Sequence, residues 1–155
     1  MRDRIRSAEP ADILLVEDNP GDIRLTQVAF EESRIANTLH VVTDGVAALD
    51  FLHQRGEYAD APRPDVVLLD LNLPRKDGDE VLADIGAGDT DLSLIPVIVL
   101  TSSKSEEDIV RSYDLQANAF LTKPVDPAEF IETIKRFEAF WLEVVRLPPE
   151  GSDRS

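Results

Sequence analysis

The chain has 155 residues, no cysteine, and 31 acidic against 16 basic residues, for a net charge of −15. That length suits one domain with a proper core, and the missing cysteines exclude disulfides and thiol chemistry and leave a zinc site only His and carboxylates. The acidity disfavours direct binding to a phosphate backbone, and the apolar runs are far too short to cross a bilayer.

Arg2, Arg4 and Arg6 lie in a short polar arm, residues 1–10, set outside the fold. The N-terminus has no hydrophobic signal region, so a soluble cytoplasmic chain is expected. Lysine is confined to positions 76, 104, 123 and 135. So acidic a surface reads as high solubility, and more sharply as adaptation to a salt-rich cytoplasm that screens self-repulsion.

In chain order, residues 13–16 (ILLV) form the first buried-strand run, which ends in Glu17-Asp18. Asn19-Pro20-Gly21-Asp22 opens a helix, with Asn19 as N-cap, Pro20 at the first helical position and Asp22 in the first turn. Ile23, Leu25, Val28, Ala29 and Phe30 supply its apolar surface. Residues 39–43 (LHVVT) are a second strand, and Asp44-Gly45 turns into a helix carrying Val46, Leu49, Phe51 and Leu52. Residues 53–64 (HQRGEYADAPRP) are polar and proline-punctuated, hence a loop.

Residues 65–74 (DVVLLDLNLP) are the stretch around which the rest is arranged. Val66 to Leu69 suit a strand buried on both faces, and the run ends in the carboxylate of Asp70. The next helix, with Val81, Leu82 and Ile85, has nearer start signals in Asp77-Gly78-Asp79-Glu80, so Asp70 is not needed as its cap. Gly86, Gly88 and Asp89 end that helix. Residues 96–100 (PVIVL) are a fourth strand ending in Thr101, and Ser105 with Asp108 starts a helix holding Ile109, Val110 and Leu115. Residues 119–122 (AFLT) are a fifth strand ending in Lys123-Pro124. Asp126-Pro127-Ala128-Glu129 starts a last helix that runs to about Leu147, where Pro148-Pro149 stops it. Five strands alternating with five helices make an α/β fold with a parallel sheet covered on both faces.

Four strands thus end in Glu17-Asp18, Asp70, Thr101 and Lys123, while separate caps stand further on at Asn19, Asp77, Ser105 and Asp126. Ligands of open α/β sheets bind outside the carboxyl ends of the strands. Three carboxylates cannot crowd together unaided, since like charges about 4 Å apart repel by about 4 kcal/mol at an effective dielectric of 20. A hard divalent cation relieves that, and Mg²⁺ suits carboxylates, retained water and a phosphate oxygen. A carboxylate can act as nucleophile and form an aspartyl phosphate, for which Thr101 and Lys123 are fitting donors.

With LLVEDNP, LLDLNLPRKDG, VLTSS and LTKP in place, the chain resembles the receiver domains of two-component response regulators over residues 11–147, with residues 1–10 and 148–155 as flexible tails. The resemblance implies a doubly wound, flavodoxin-like sheet of order 2-1-3-4-5, as general accounts of this fold give it. It implies that Asp70 accepts a phosphoryl group from a histidine kinase. Glu17 (through water), Asp18, Asp70 and the backbone carbonyl of Asn72 would hold Mg²⁺. Lys123 would pair with the phosphoryl oxygens and Thr101 would move to hydrogen-bond them. Phe120 falls where the family has a switching aromatic, although an ordinary core residue fits there equally well, and Lys123-Pro124 would be cis.

The residues leave two rival functions. A haloacid-dehalogenase-type phosphatase also uses an Asp nucleophile, Mg²⁺ and a Lys, but it needs a second Asp two residues on, where this chain has Asn72. A receiver-like interaction module that takes no phosphate is the other. No second domain is visible, so output is expected through a partner or self-association rather than nucleic acid. The aromatic C-terminal helix and the HQRGEY loop resemble regulators paired with phytochrome-type histidine kinases. In that helix Phe130, Ile134, Phe137, Trp141, Val144 and Val145 form one stripe, flanked by Phe140, Leu142 and Leu147, and a two-fold dimer through it is expected.

Overall fold

The computed structural model describes residues 10–32, 36–71, 78–87, 92, 95–101, 119–123 and 126–141. Nine regular elements lie within them. They are β1 (Ala11–Val16), α1 (Pro20–Glu31), β2 (Asn37–Val42), α2 (Gly45–Leu52), β3 (Val66–Asp70), α3 (Gly78–Ala87), β4 (Val97–Thr101), β5 (Ala119–Thr122) and α4 (Pro127–Trp141). The strands form one parallel sheet in the order β2-β1-β3-β4-β5. The helix expected from Ser105, the caps Asp77 and Ser105, the Lys123–Pro124 bond, residues 142–147 and both terminal tails lie outside the described residues.

The inner strands β1, β3 and β4 carry apolar runs buried on both sides because both faces of the sheet are covered. Successive side chains along a strand point to opposite faces. Thus Leu14, Val16, Val67, Leu69, Val97 and Val99 pack with α2 and α3 in one cluster. Ile13, Leu15, Val66, Leu68, Ile98 and Leu100 pack on the other face with Ala29 and Phe30 of α1 and Phe130, Ile134 and Phe137 of α4. Each pair of helices also carries a polar tie. His53 meets Asp84 at 2.9 Å beside α2 and α3, and Lys135 of α4 meets Glu32 at the end of α1 at 3.0 Å.

The local signals act at their expected places. Asn19 Oδ1 accepts from the Asp22 amide at 3.0 Å, and a Cβ at Gly21 would stand 3.2 Å from that same oxygen. Asp44 Oδ1 accepts from the Ala47 amide at 2.7 Å, and Asp126 Oδ1 from that of Ala128 at 3.0 Å. Several details differ from the sequence reading, among them that β1 begins at Ala11 rather than residue 13 and β2 ends at Val42 rather than residue 43. β2 begins at Asn37 rather than residue 39, because all six of its residues are in register with β1. The loop after α2 is not featureless either. It carries a 3₁₀ turn at Gly56–Tyr58 and is closed by a 2.7 Å hydrogen bond from Gln54 Nε2 to the Ala61 carbonyl. Gln54 takes a positive φ of 56°, which that bond helps to hold.

Candidate functional site

β1 and β3 run side by side with Val16 opposite Leu69, so Glu17 and Asp70 leave adjacent strands at one level. β4 follows with Leu100 opposite Asp70, which sets Thr101 one residue beyond. Thr101 is opposite Thr122 of β5, and the Lys123 amide donates to the Thr101 carbonyl at 2.8 Å, extending the ladder by one residue. Strands stand about 4.8 Å apart, so a group on β5 must reach across β4, about 10 Å, to meet β3. A four-carbon lysine side chain has the length and flexibility for that.

Lys123 makes that reach. Its Nζ donates to Glu17 Oε1 at 2.7 Å, Asp22 Oδ2 at 3.0 Å and Asp70 Oδ2 at 3.1 Å. Among the described residues Glu17, Asp18 and Asp70 each offer a carboxylate oxygen, and these oxygens all lie within 4.8 Å of one another. Glu17 and Asp70 are buried at 1% and 6% exposure, whereas Asp18 is exposed. Glu17 Oε2 also accepts a long bond of 3.3 Å from the Asn19 amide.

Crowding leaves its mark on protonation. Burial and the neighbouring Asp70 carboxyl push the Glu17 carboxyl up to about 7, against the pull of Lys123. Burial works to lower the Lys123 ammonium, but the hydrogen bond and charge of Glu17, the charge of Asp70 and the Asp22 hydrogen bond outweigh it and hold the lysine above its usual value. The ammonium therefore stays charged. Thr101 is fully buried, and among the described residues its Oγ1 has no hydrogen-bond partner. An unpaired buried hydroxyl costs stability, and such exceptions cluster where a ligand or a switch supplies the partner.

Of the residues singled out from sequence, the fold brings Glu17, Asp18, Asp70 and Lys123 together and sets Thr101 at the end of the strand between Asp70 and Lys123. Phe120 lies in β5 opposite Val99, its side chain outside the described set, and Asn72 lies outside it altogether. Asp44 stays with its helix cap. Sequence reasoning missed Asp22. It stands in the first turn of α1, directly after a strand end, and that position aims a carboxylate at the same end of the sheet. A first-turn acid is already explained by the helix dipole, so the second role was hidden.

Known proteins resemble this chain in sequence and backbone. The family model for the response regulator receiver domain matches residues 13–135. Response regulator Rcp1 of Synechocystis sp. is 49% identical over 142 residues, which cover 92% of this chain and 96% of that protein. Among solved structures, the phosphorylated cyanobacterial phytochrome response regulator RcpA superposes with a TM-score of 0.83 at 48% identity, covering 91% of this chain and 100% of that one. The Mn²⁺-bound form of response regulator Rcp1 gives 0.81 at 48% identity, covering 90% and 100%.

Proposed function

This chain belongs to the response regulator receiver domain family, whose members are signalling switches rather than classical enzymes, and from that premise we infer that it accepts a phosphoryl group on Asp70 from a histidine kinase. The observation that carries the reading is the bridge from Lys123 on the far strand to the buried Asp70 carboxylate, 3.1 Å away. In the transfer an Asp70 oxygen attacks the phosphorus of a phosphohistidine. The O–P bond forms as the P–N bond breaks, and the imidazole leaves with the electron pair.

Glu17, Asp18 and Asp70 fit a hard divalent cation by donor type and spacing, and the resemblance to the family adds the Asn72 backbone carbonyl as a further proposed ligand. Bound there, Mg²⁺ neutralises the carboxylates and the incoming phosphoryl charge. Lys123, charged and already in hydrogen-bond reach of Asp70, turns one donor onto a phosphoryl oxygen. The Thr101 hydroxyl, without a partner among the described residues, donates to another, and its movement is the first step of the switch. Phe120 follows as the switching aromatic.

The likeness to Rcp1 and RcpA supports a phytochrome-type kinase as donor. Output passes through a protein partner or a two-fold dimer built on the C-terminal helix, not through nucleic acid, and the net charge of −15 supports the latter exclusion. Phe130, Ile134 and Phe137 pack against the sheet, so the proposed dimer contact falls to apolar residues further along the sequence, Phe140, Leu142 and Leu147. Sedimentation of the parent chain well above micromolar concentration tests the dimer, and a folded monomer overturns it. Acetyl phosphate with Mg²⁺ tests the switch itself. Intact-mass analysis should show one phosphoryl group on the parent and none on Asp70→Asn. Catalytic turnover of unrelated phosphate esters would instead favour a phosphatase.

A further inference from the structure

A lysine ammonium has three donors, and Lys123 uses all three, on Glu17, Asp22 and Asp70. Two of these acceptors belong to the carboxylate set whose oxygens lie within 4.8 Å of each other, and Asp22 does not. Asp22 is also differently placed. Its side chain is 28% exposed, against 1% for Glu17 and 8% for Asp70. Its backbone is locked on both sides, the amide donating to Asn19 Oδ1 at 3.0 Å and the carbonyl accepting from Thr26 Oγ1 at 2.8 Å. The carboxylate therefore projects from an anchored backbone at the edge of the pocket.

A divalent cation drawn to Glu17 and Asp70 competes with the ammonium for the same oxygens and repels it. A lysine with no other acceptor either leaves the pocket or resists the cation. We propose that Asp22 is a positioning residue that gives Lys123 an acceptor outside the metal-binding carboxylates, so that the lysine and a divalent cation share the site. This rests on the reading of Glu17, Asp18 and Asp70 as the cation's ligands. Asp22 touches neither the cation nor the phosphoryl group and acts through Lys123. The Asp22–Lys123 bond itself is short in space and long in sequence, spanning 101 residues.

Calorimetric titration of the full chain with Mg²⁺ tests this through a double-mutant cycle, without reference to phosphorylation. Asp22→Asn should weaken Mg²⁺ binding about three- to tenfold, and Lys123→Met should tighten it. In the Lys123→Met background, Asp22→Asn should change the affinity by less than about twofold, because its effect runs through the lysine. Asp22→Glu should restore most of the affinity that Asp22→Asn loses. Equal losses in the two backgrounds would make Asp22 a general negative charge and overturn the inference, as would a glutamate variant no better than the asparagine one. A parent chain that binds Mg²⁺ and an Asp22→Asn chain that binds it equally well would overturn this inference alone. A parent chain that binds no Mg²⁺ would overturn the metal site along with it.

Discussion

The two ends of the sheet both gather acidic side chains, and they treat them oppositely. At the amino end the Asp12 amide donates to Asp65 Oδ2 at 2.8 Å, the Asp65 amide donates to the Asp12 carbonyl at 2.7 Å, and His40 meets Asp12 Oδ1 at 3.0 Å. These carboxylates accept from backbone or imidazole, and the His40 and Asp12 side chains keep 24% and 31% of their surface in water. At the carboxyl end, Glu17 and Asp70 are buried, share one ammonium with Asp22, and lie beside the strand of Thr101, whose hydroxyl has no partner among the described residues. One end is polar and satisfied, so it stabilises the fold. The other carries unspent charge and an unused donor, which a bound cation and phosphoryl group would complete.

The largest expected effect lies in the chemistry. Asp70→Asn should abolish Mg²⁺-dependent labelling by acetyl phosphate, while Asp65→Asn, at the satisfied end, should label like the parent. Labelling that survives in the first or vanishes in the second would erase the contrast between the two ends.

Next comes stability of the metal-free chain. Lys123→Met strands buried carboxylates and should cost about 2–3 kcal/mol at pH 8. Lys135, in an exposed pair with Glu32, should cost at most about 0.5 kcal/mol when changed to Met. Urea melts of the two variants in chelator measure both, and equal midpoints would mean the site lysine is no more engaged than a surface one.

Cation binding gives a smaller separation. Asp18→Ala should weaken Mg²⁺ about tenfold, or about 1.4 kcal/mol, whereas Asp44→Ala should leave it unchanged. Asp44 follows β2, but it is held as a helix cap on the Ala47 amide. Equal losses in a titration would move the pocket.

The last separation is the pH dependence. Glu17 titrates near 7 in the folded chain, above its ordinary 4.5. A carboxyl raised on folding contributes stability that is complete below about 4.5 and is lost as pH rises through about 7. Thermal melts in chelator should therefore show the metal-free chain gaining stability between pH 8 and pH 5, and Glu17→Gln should flatten that gain. An unchanged slope in Glu17→Gln would place the titrating group elsewhere.

Much of this was legible in local sequence. The apolar runs of β1, β3 and β4 are long enough, and β-branched enough, to mark buried parallel strands, and the caps Asn19, Asp44 and Asp126 act over three residues or fewer. Asp70, Thr101 and Lys123 stood out because each ends a strand without being needed as a cap. The start of β2 was set too late because its first residues, Asn37 and Thr38, are polar and are strand only through pairing with β1. Thr26 escaped as a core residue because its hydroxyl is satisfied by the Asp22 carbonyl one turn back, which makes a polar side chain cheap to bury.

The sequence by itself determined the elements, their caps and the set of polar residues at the strand ends, because those depend on periodicity and on contacts a few residues apart. Only the tertiary structure decided who meets whom there. Strand order set Lys123 beyond β4, so that one ammonium spans Glu17, Asp22 and Asp70 across sequence separations of 106, 101 and 53 residues. It also raised the Glu17 carboxyl, turned a helix-start acid into a partner of the lysine, and buried the Thr101 hydroxyl without a partner among the described residues. Burial and charge crowding are sums over neighbours from separate strands, and no window of sequence contains them.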